Sequence, residues 1–164
     1  MTINPELIPV NQLLIPAARK GELEVLQELI RQGANLDTQD EKGYTALIIA
    51  CYNNQLETAK LLLDQGASVN ARDHGGNTAL MGTAFKGYAD IAALLIAHGA
   101  DPDLQHGNGG SALMFAALFG RNDVLRLLLA SGANKNLCDA RGLTALDHAV
   151  QQNNEAAVTM LQDK

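Results

Sequence analysis

Apolar positions along this chain fall into pairs of short blocks separated by polar turns, and the pairs return at a fixed step. After Thr45-Ala46-Leu47 come Ala50 and Cys51, then, beyond Asn54, Ala59, Leu62 and Leu63, and finally Gly66-Ala67. The opening phrase recurs as Gly76-Asn77-Thr78-Ala79-Leu80, Gly109-Gly110-Ser111-Ala112-Leu113 and Gly142-Leu143-Thr144-Ala145-Leu146, each copy 33 residues after the last. The closing phrase keeps the same step through Gly33-Ala34, Gly66-Ala67, Gly99-Ala100 and Gly132-Ala133. Leu47, Ala50 and Cys51 stand at i, i+3 and i+4, the spacing of one helical face. Ala59, Leu62 and Leu63 repeat that spacing, with Lys60 and Asp64 outward. Each unit therefore reads as two short helices. Self-similarity at such a period predicts a stacked solenoid, in which no unit buries its apolar face alone.

The punctuation agrees with the helices. Thr45 is placed to cap a first helix through its hydroxyl. The positions between the two helices are Gly21, Asn54, Gly87, Gly120 and Asn153, all glycine or asparagine. These are the residues most tolerant of positive φ. Gly66 sits where a helix ends in a left-handed residue. The polar stretches Asn70 to Gly76, Asp103 to Gly109 and Asn136 to Gly142 predict hairpin turns. Asp40, Asp73 and Asp139 share one place in them, where a carboxylate bonds its own turn. His106 stands there in the fourth unit.

The ends are atypical, as terminal units of a solenoid are expected to be. Residues 1–11 read as a lead-in, with Asn4-Pro5-Glu6 able to start a short helix. The units then run over about 12–39, 40–72, 73–105, 106–138 and 139–164. In the first, Gln12-Leu13-Leu14 replaces Thr-Ala-Leu and Pro16 falls inside a helix. The last helix is more polar, with Asn154, Glu155, Thr159, Gln162 and Asp163.

The pattern Asp-x-x-Gly-x-Thr-Ala-Leu, a Gly or Asn between helices, then Leu-Leu-Leu-x-x-Gly-Ala resembles the ankyrin repeat family over residues 12–164. The resemblance implies an all-α solenoid of helix–turn–helix–hairpin units, gently curved, with first helices and hairpin tips on the concave side. Family members often carry Thr-Pro-Leu-His. Here Ala46, Ala79, Ala112 and Ala145 replace the proline, and Ile48, Met81, Met114 and Asp147 replace the histidine. Polar bonds that the histidine makes between units are then lost or replaced by apolar packing. Gly82 falls inside the first helix of the third unit, where glycine costs roughly 1 kcal/mol against alanine. That marks the third unit as the softest layer. Such irregularities argue against a consensus-designed scaffold.

Composition narrows the function. The 164 residues are 47% hydrophobic and only 4% aromatic, without tryptophan, which suits helices of Ala and Leu better than a sandwich of strands. A net charge of −6 argues against a non-specific nucleic-acid binder. No apolar run is long enough to span a membrane, and Met1 to Val10 lacks the signal-peptide pattern. Cys51 and Cys138 lie nearly three units apart. With helix layers roughly 8–10 Å apart, they are too distant for a disulfide. Unpaired thiols fit a reducing cytoplasm, and Cys51 reads as a small buried hydrophobe.

No catalytic constellation stands out. There is no Gly-x-Ser-x-Gly elbow, no phosphate loop and no zinc spacing, so no cofactor or metal is expected. Gly107-Asn108-Gly109-Gly110 reads as a hairpin tip in register with Gly75-Gly76. His74, His98, His106 and His148 occupy different repeat positions and read as structural. His98 suits a helix C-terminus.

The resemblance does place one constellation on the concave side. At the ends of the first helices the row is Arg19, Tyr52, Phe85, Leu118 and Gln151, beside Lys20, Asn53, Lys86, Phe119 and Gln152. The hairpin tips add Lys42, Tyr44, His74, Asn77, Asn108, Arg141 and Leu143. Of these, Tyr44, Tyr52, Phe85, Lys86, Leu118, Phe119, Lys42, His74, Asn77 and Arg141 are the candidate partner-binding residues. Contiguous exposed apolar groups mark interaction sites, and basic residues outnumber acids on this face. Most other acids, such as Glu24, Glu57, Asp64 and Glu155, belong to the second helices or the ends. The expected activity is a non-enzymatic, monomeric protein-binding module. Its partner would carry apolar anchors with acids nearby, and the module would act as an inhibitor or a protective, immunity-type factor by family analogy. The competing readings are an engineered or self-associating ankyrin scaffold, and a small-ligand protein or enzyme.

Overall fold

A computed structural model describes residues 8–163, which form ten helices in five pairs. The first helices are α1 (Val10–Lys20), α3 (Ala46–Tyr52), α5 (Ala79–Lys86), α7 (Ala112–Leu118) and α9 (Ala145–Gln151). The second helices are α2 (Leu23–Arg31), α4 (Leu56–Asp64), α6 (Ala89–Ala97), α8 (Asn122–Ala130) and α10 (Glu155–Gln162). Each pair packs on the next, so the chain is an all-α repeat solenoid. First helices lie against one another more closely than second helices do. The expected helix at Asn4-Pro5-Glu6 lies outside the described residues, and α1 begins within the expected lead-in.

Each first helix starts where its hydroxyl residue stands. The side chains of Thr45, Thr78 and Ser111 accept from the backbone N–H of Ile48, Met81 and Met114. Thr144 does the same for Asp147, whose carboxylate in turn accepts from the Thr144 N–H, a closed capping box. The turn between helices takes the left-handed conformation in every unit, with φ of 72° at Gly21, 58° at Asn54, 82° at Gly87, 68° at Gly120 and 54° at Asn153. Asparagine fills two of these places because its short polar side chain tolerates that region.

The core runs unbroken through the stack. Leu14, Leu26, Leu47, Leu62, Leu80, Ile91, Leu95, Leu113, Val124, Leu125 and Leu128 are all buried to within 1%. Each such side chain contributes about 1.5–3 kcal/mol on leaving water. Six of the seven residues of α3 are buried, because that helix is enclosed by α1, α4 and α5. Ile48, Met81 and Met114, in the positions where the resemblance led us to expect apolar packing in place of histidine, are buried.

Polar stitching between units lies mostly in the loops. Asp37 accepts from the Ser68 N–H and hydroxyl, Asn70 from the Asp101 N–H and Asp103 from the Asn134 N–H. Adjacent hairpins are joined backbone to backbone: His74 N–H donates to the Lys42 carbonyl, Gly107 to Gly75 and Ala140 to Asn108. Gln39 and Gln105 each bridge two carbonyls across a unit boundary. The carboxylates of Asp40, Asp73 and Asp139 each accept from two N–H groups of their own turn. The ring nitrogen Nδ1 of His106 accepts from Asn108 in the same way.

The two cysteines are free and differ in setting. Burial pushes the Cys51 thiol up to about 12, slightly offset by its contact with Thr83. Cys138 is exposed. A thiol reagent such as DTNB should therefore titrate one cysteine in the folded protein and the second only after denaturation. Two fast equivalents under native conditions would contradict the sealed core.

Candidate functional site

The ends of the first helices and the middle of α7 bring a ladder of rings together on one face. Tyr52 stacks on Phe85, with centroids 6.3 Å apart and planes 6° from parallel. Phe85 meets Phe119 edge to face at 4.6 Å. Phe119 stacks on Phe115 at 6.4 Å, and Phe115 on the His106 ring at 5.3 Å. Such pairs contribute about 0.5–1.5 kcal/mol each beyond burial. The rings cover one another only in part: Tyr52 remains 43% exposed and Phe119 40%. Phe85 and Leu118 are half-buried. The ladder spans the second, third and fourth units and is fixed at its centre, where the Arg121 guanidinium donates to the Phe85 carbonyl at 3.1 Å.

The Lys86 ammonium lies 4.6 Å from the centroid of the Tyr52 ring, a cation–π contact that holds a positive charge over the ladder. Lys42 and His74 are exposed at successive hairpin tips, joined through their backbones. Tyr44 is half-buried against the core beneath them. Asn77 is half-buried as well, and its amide is spent on both oxygens of Asp73. Arg141 is exposed, with its guanidinium 3.7 Å from the Asp139 carboxylate.

Two hollows flank Phe115. One, of about 320 Å³, is bordered by Tyr44, Ile49, Tyr52, Gly82, Phe85 and Phe115, with Asp73 and Asn77 at its polar edge. It brings together four of the residues expected at the site: Tyr44, Tyr52, Phe85 and Asn77. The other, of about 390 Å³, is bordered by His106, Phe115, Leu118, Asp139, Arg141 and His148. It takes in Leu118 and Arg141. Lys42, His74, Lys86 and Phe119 border neither hollow.

The second hollow holds an arrangement that sequence reasoning missed. His148 is buried, and its Nε2 lies 2.9 Å from the Asp139 carboxylate. Its Nδ1 has no hydrogen-bond partner. The Leu143 N–H, then that of Arg141, then His148 hold the Asp139 carboxyl below the usual carboxylate range. Asp147 is held low by the Thr144 N–H and hydroxyl. Thus His106 and His148, read as unrelated, border one cavity. His98 caps α6, facing the Leu94 carbonyl at 3.0 Å and Asp64 of α4 at 3.2 Å. Among the described residues, no group of three His, Cys, Asp or Glu side chains is arranged to hold a metal ion.

Phe115 and Gly82 were also missed as site residues. The signal for both was the 33-residue register, which aligns Ile49, Gly82, Phe115 and His148 in one row. Gly82 lies in mid-helix without positive φ. A Cβ built there would meet only Tyr52 Cδ2, at 3.4 Å. Neither backbone geometry nor crowding requires glycine, so the roughly 1 kcal/mol it forfeits against alanine is not forced by the fold. What it does is leave the row empty between Ile49 and Phe115, which opens the first hollow.

A family model described as ankyrin repeats (3 copies) matches residues 14–106 and 80–164. No curated protein matches the chain. Among the described residues, no helix is long and apolar enough to cross a membrane.

Proposed function

The chain belongs to the ankyrin repeat family, whose repeats are in general protein–protein interaction modules, and from that premise we propose that it grips one protein partner on its first-helix face. The observation that carries this reading is the open ladder Tyr52–Phe85–Phe119–Phe115. Rigid aromatic groups that are already packed in place lose little freedom on binding, which is why they serve as anchors at interfaces. The face is also more basic than the body. Arg19, Lys20, Lys42, Arg72 and Arg141 are exposed on or beside it, and Lys86 sits over Tyr52. Glu24, Glu57, Asp64 and Glu155 are exposed on second helices. A partner segment with apolar anchors and neighbouring acids matches that division.

The protein acts by occupancy rather than by catalysis, without a cofactor, as a monomer in the cytoplasm. The free thiols Cys51 and Cys138 support a reducing compartment. The net charge of −6 speaks against nucleic acid as the partner.

The test is a pull-down from native lysate with wild type and the double variant Tyr52→Ala plus Phe85→Ala, alongside light scattering of the isolated protein. The wild type should retain one protein species, and the double variant should lose it by about thirtyfold in affinity, the effect of removing a hot spot. Equal retention by both would overturn the assignment of this face. A scattering mass of twice 17.4 kDa or more would favour self-association instead.

A further inference from the structure

Gly82 removes a side chain from a row that is otherwise filled, and it does so in the middle of the aromatic ladder. Ile49 stands one unit before it, Phe115 one unit after, and the Tyr52 and Phe85 rings close the sides. The hollow is about 320 Å³, enough for one large side chain. Helix stability is given up there without a structural reason, and such concessions gather at functional sites.

We infer that the Gly82 hollow is a socket for one aromatic side chain of the partner segment, with an acidic residue next to that side chain meeting Lys86. The ligand class follows from the walls. Tyr44, Tyr52, Phe85 and Phe115 offer ring faces and edges, and Ile48, Ile49 and Met81 complete an apolar lining. A cationic occupant is disfavoured, because Lys86 already holds its ammonium 4.6 Å from the Tyr52 ring. The one carboxylate at the rim, Asp73, is engaged by Gly75 N–H, Asn77 N–H and the Asn77 amide. Among the described residues, no cation borders the hollow itself; Lys86, with its ammonium over the Tyr52 wall, places a positive charge beside it for a neighbouring ligand group to meet. The socket rests on the reading of this face as the partner-binding surface, and it is tested without that partner.

The experiment is a two-dimensional amide NMR titration of the full chain with N-acetyl-tryptophanamide, with tetramethylammonium as the cationic rival. The indole probe should shift Ile49, Gly82 and Phe115 amides saturably. Gly82→Leu, which fills the hollow, should weaken binding by about tenfold or more. If Gly82→Leu fails to fold, Gly82→Ala decides: it should raise the melting temperature while weakening the probe measurably. An acidic dipeptide, N-acetyl-Trp-Glu-amide, should bind about threefold tighter than its Trp-Lys counterpart. Lys86→Ala should erase that difference. Absence of saturable shifts at these amides, undiminished binding in the filled variants, or a preference for tetramethylammonium would each overturn the socket. Equal binding of the two dipeptides would overturn the acidic neighbour. If the indole binds as expected but the pull-down fails, the socket stands and the partner reading falls. The reverse pair of results removes the socket alone.

Discussion

Leu113→Ala is expected to lower the stability of the folded chain by roughly 2–5 kcal/mol, the range for truncating a fully buried leucine. Leu113 is 1% exposed and belongs to α7, which packs on α5 before it and α9 after it. In a stack where each unit touches only its neighbours, stability is a sum of unit and interface contributions. A void in α7 weakens both interfaces of the fourth unit at once. The loss should therefore change the shape of the transition, separating the last two units from the first three. Urea unfolding followed by circular dichroism measures this, with Val150→Ala as the comparison. Val150 lies in α9 at 55% exposure, and its truncation should stay within about 0.5 kcal/mol of wild type. Similar losses in the two variants would mean that the first-helix layer is not the continuous core described above.

How far the sequence could be read depended on where the determining contact lies. The period, the capping hydroxyls and the five left-handed turns are properties of one unit, so each repeat states them again. Even the exception was legible: His106 takes the place of an aspartate and its Nδ1 performs the same turn-closing bond. The first-helix pattern was read less fully. The i, i+3, i+4 rule named Leu47, Ala50 and Cys51, whereas six of seven residues of α3 are buried. A helix enclosed on three sides no longer shows a polar face, and its burial then depends on neighbouring units.

The candidate site shows the same division. Tyr52, Phe85 and Phe119 were found because each sits at a helix end that the repeat exposes. Gly82 was first read only as a weak point in α5. Its meaning lies in a row formed by residues from separate units, Ile49 and Phe115 on either side. The pairing of His148 with Asp139 was hidden for a different reason: it lies within the fifth unit, nine residues apart, but rests on a side chain where the units before it carry Ile49, Gly82 and Phe115. Side chains that meet across units become visible only when the stack is assembled. Those are the contacts that shape the candidate face.

Gly43→Ala should be the more damaging of two changes that look alike in sequence. Gly43 and Gly142 occupy the same place in their hairpins and have nearly the same conformation, with φ of 81° and 79°. Alanine at either position is strained by about 1–2 kcal/mol for its left-handed backbone. At Gly142 nothing lies within 4 Å of a built Cβ, since among the described residues no other hairpin packs on that side. At Gly43 the same atom would sit 2.6 Å from the His74 backbone nitrogen and ring, and 3.0 Å from the Asp73 carbonyl carbon. Backbone cannot rotate aside as a flexible side chain can. The hairpin of the third unit, with Asp73 and His74, must lift away, and the His74 N–H bond to the Lys42 carbonyl goes with it. The expected loss is roughly 3 kcal/mol or more, combining strain with overpacking. The effect should also reach the proposed socket, since the displaced tips carry Lys42, Tyr44 and His74 at the edge of the aromatic ladder. Chemical denaturation of the two variants side by side measures the difference. Gly43→Ala should in addition weaken N-acetyl-tryptophanamide binding, because Tyr44 is a wall of the hollow. If both variants lose the same stability, the hairpins do not bear on one another through these glycines.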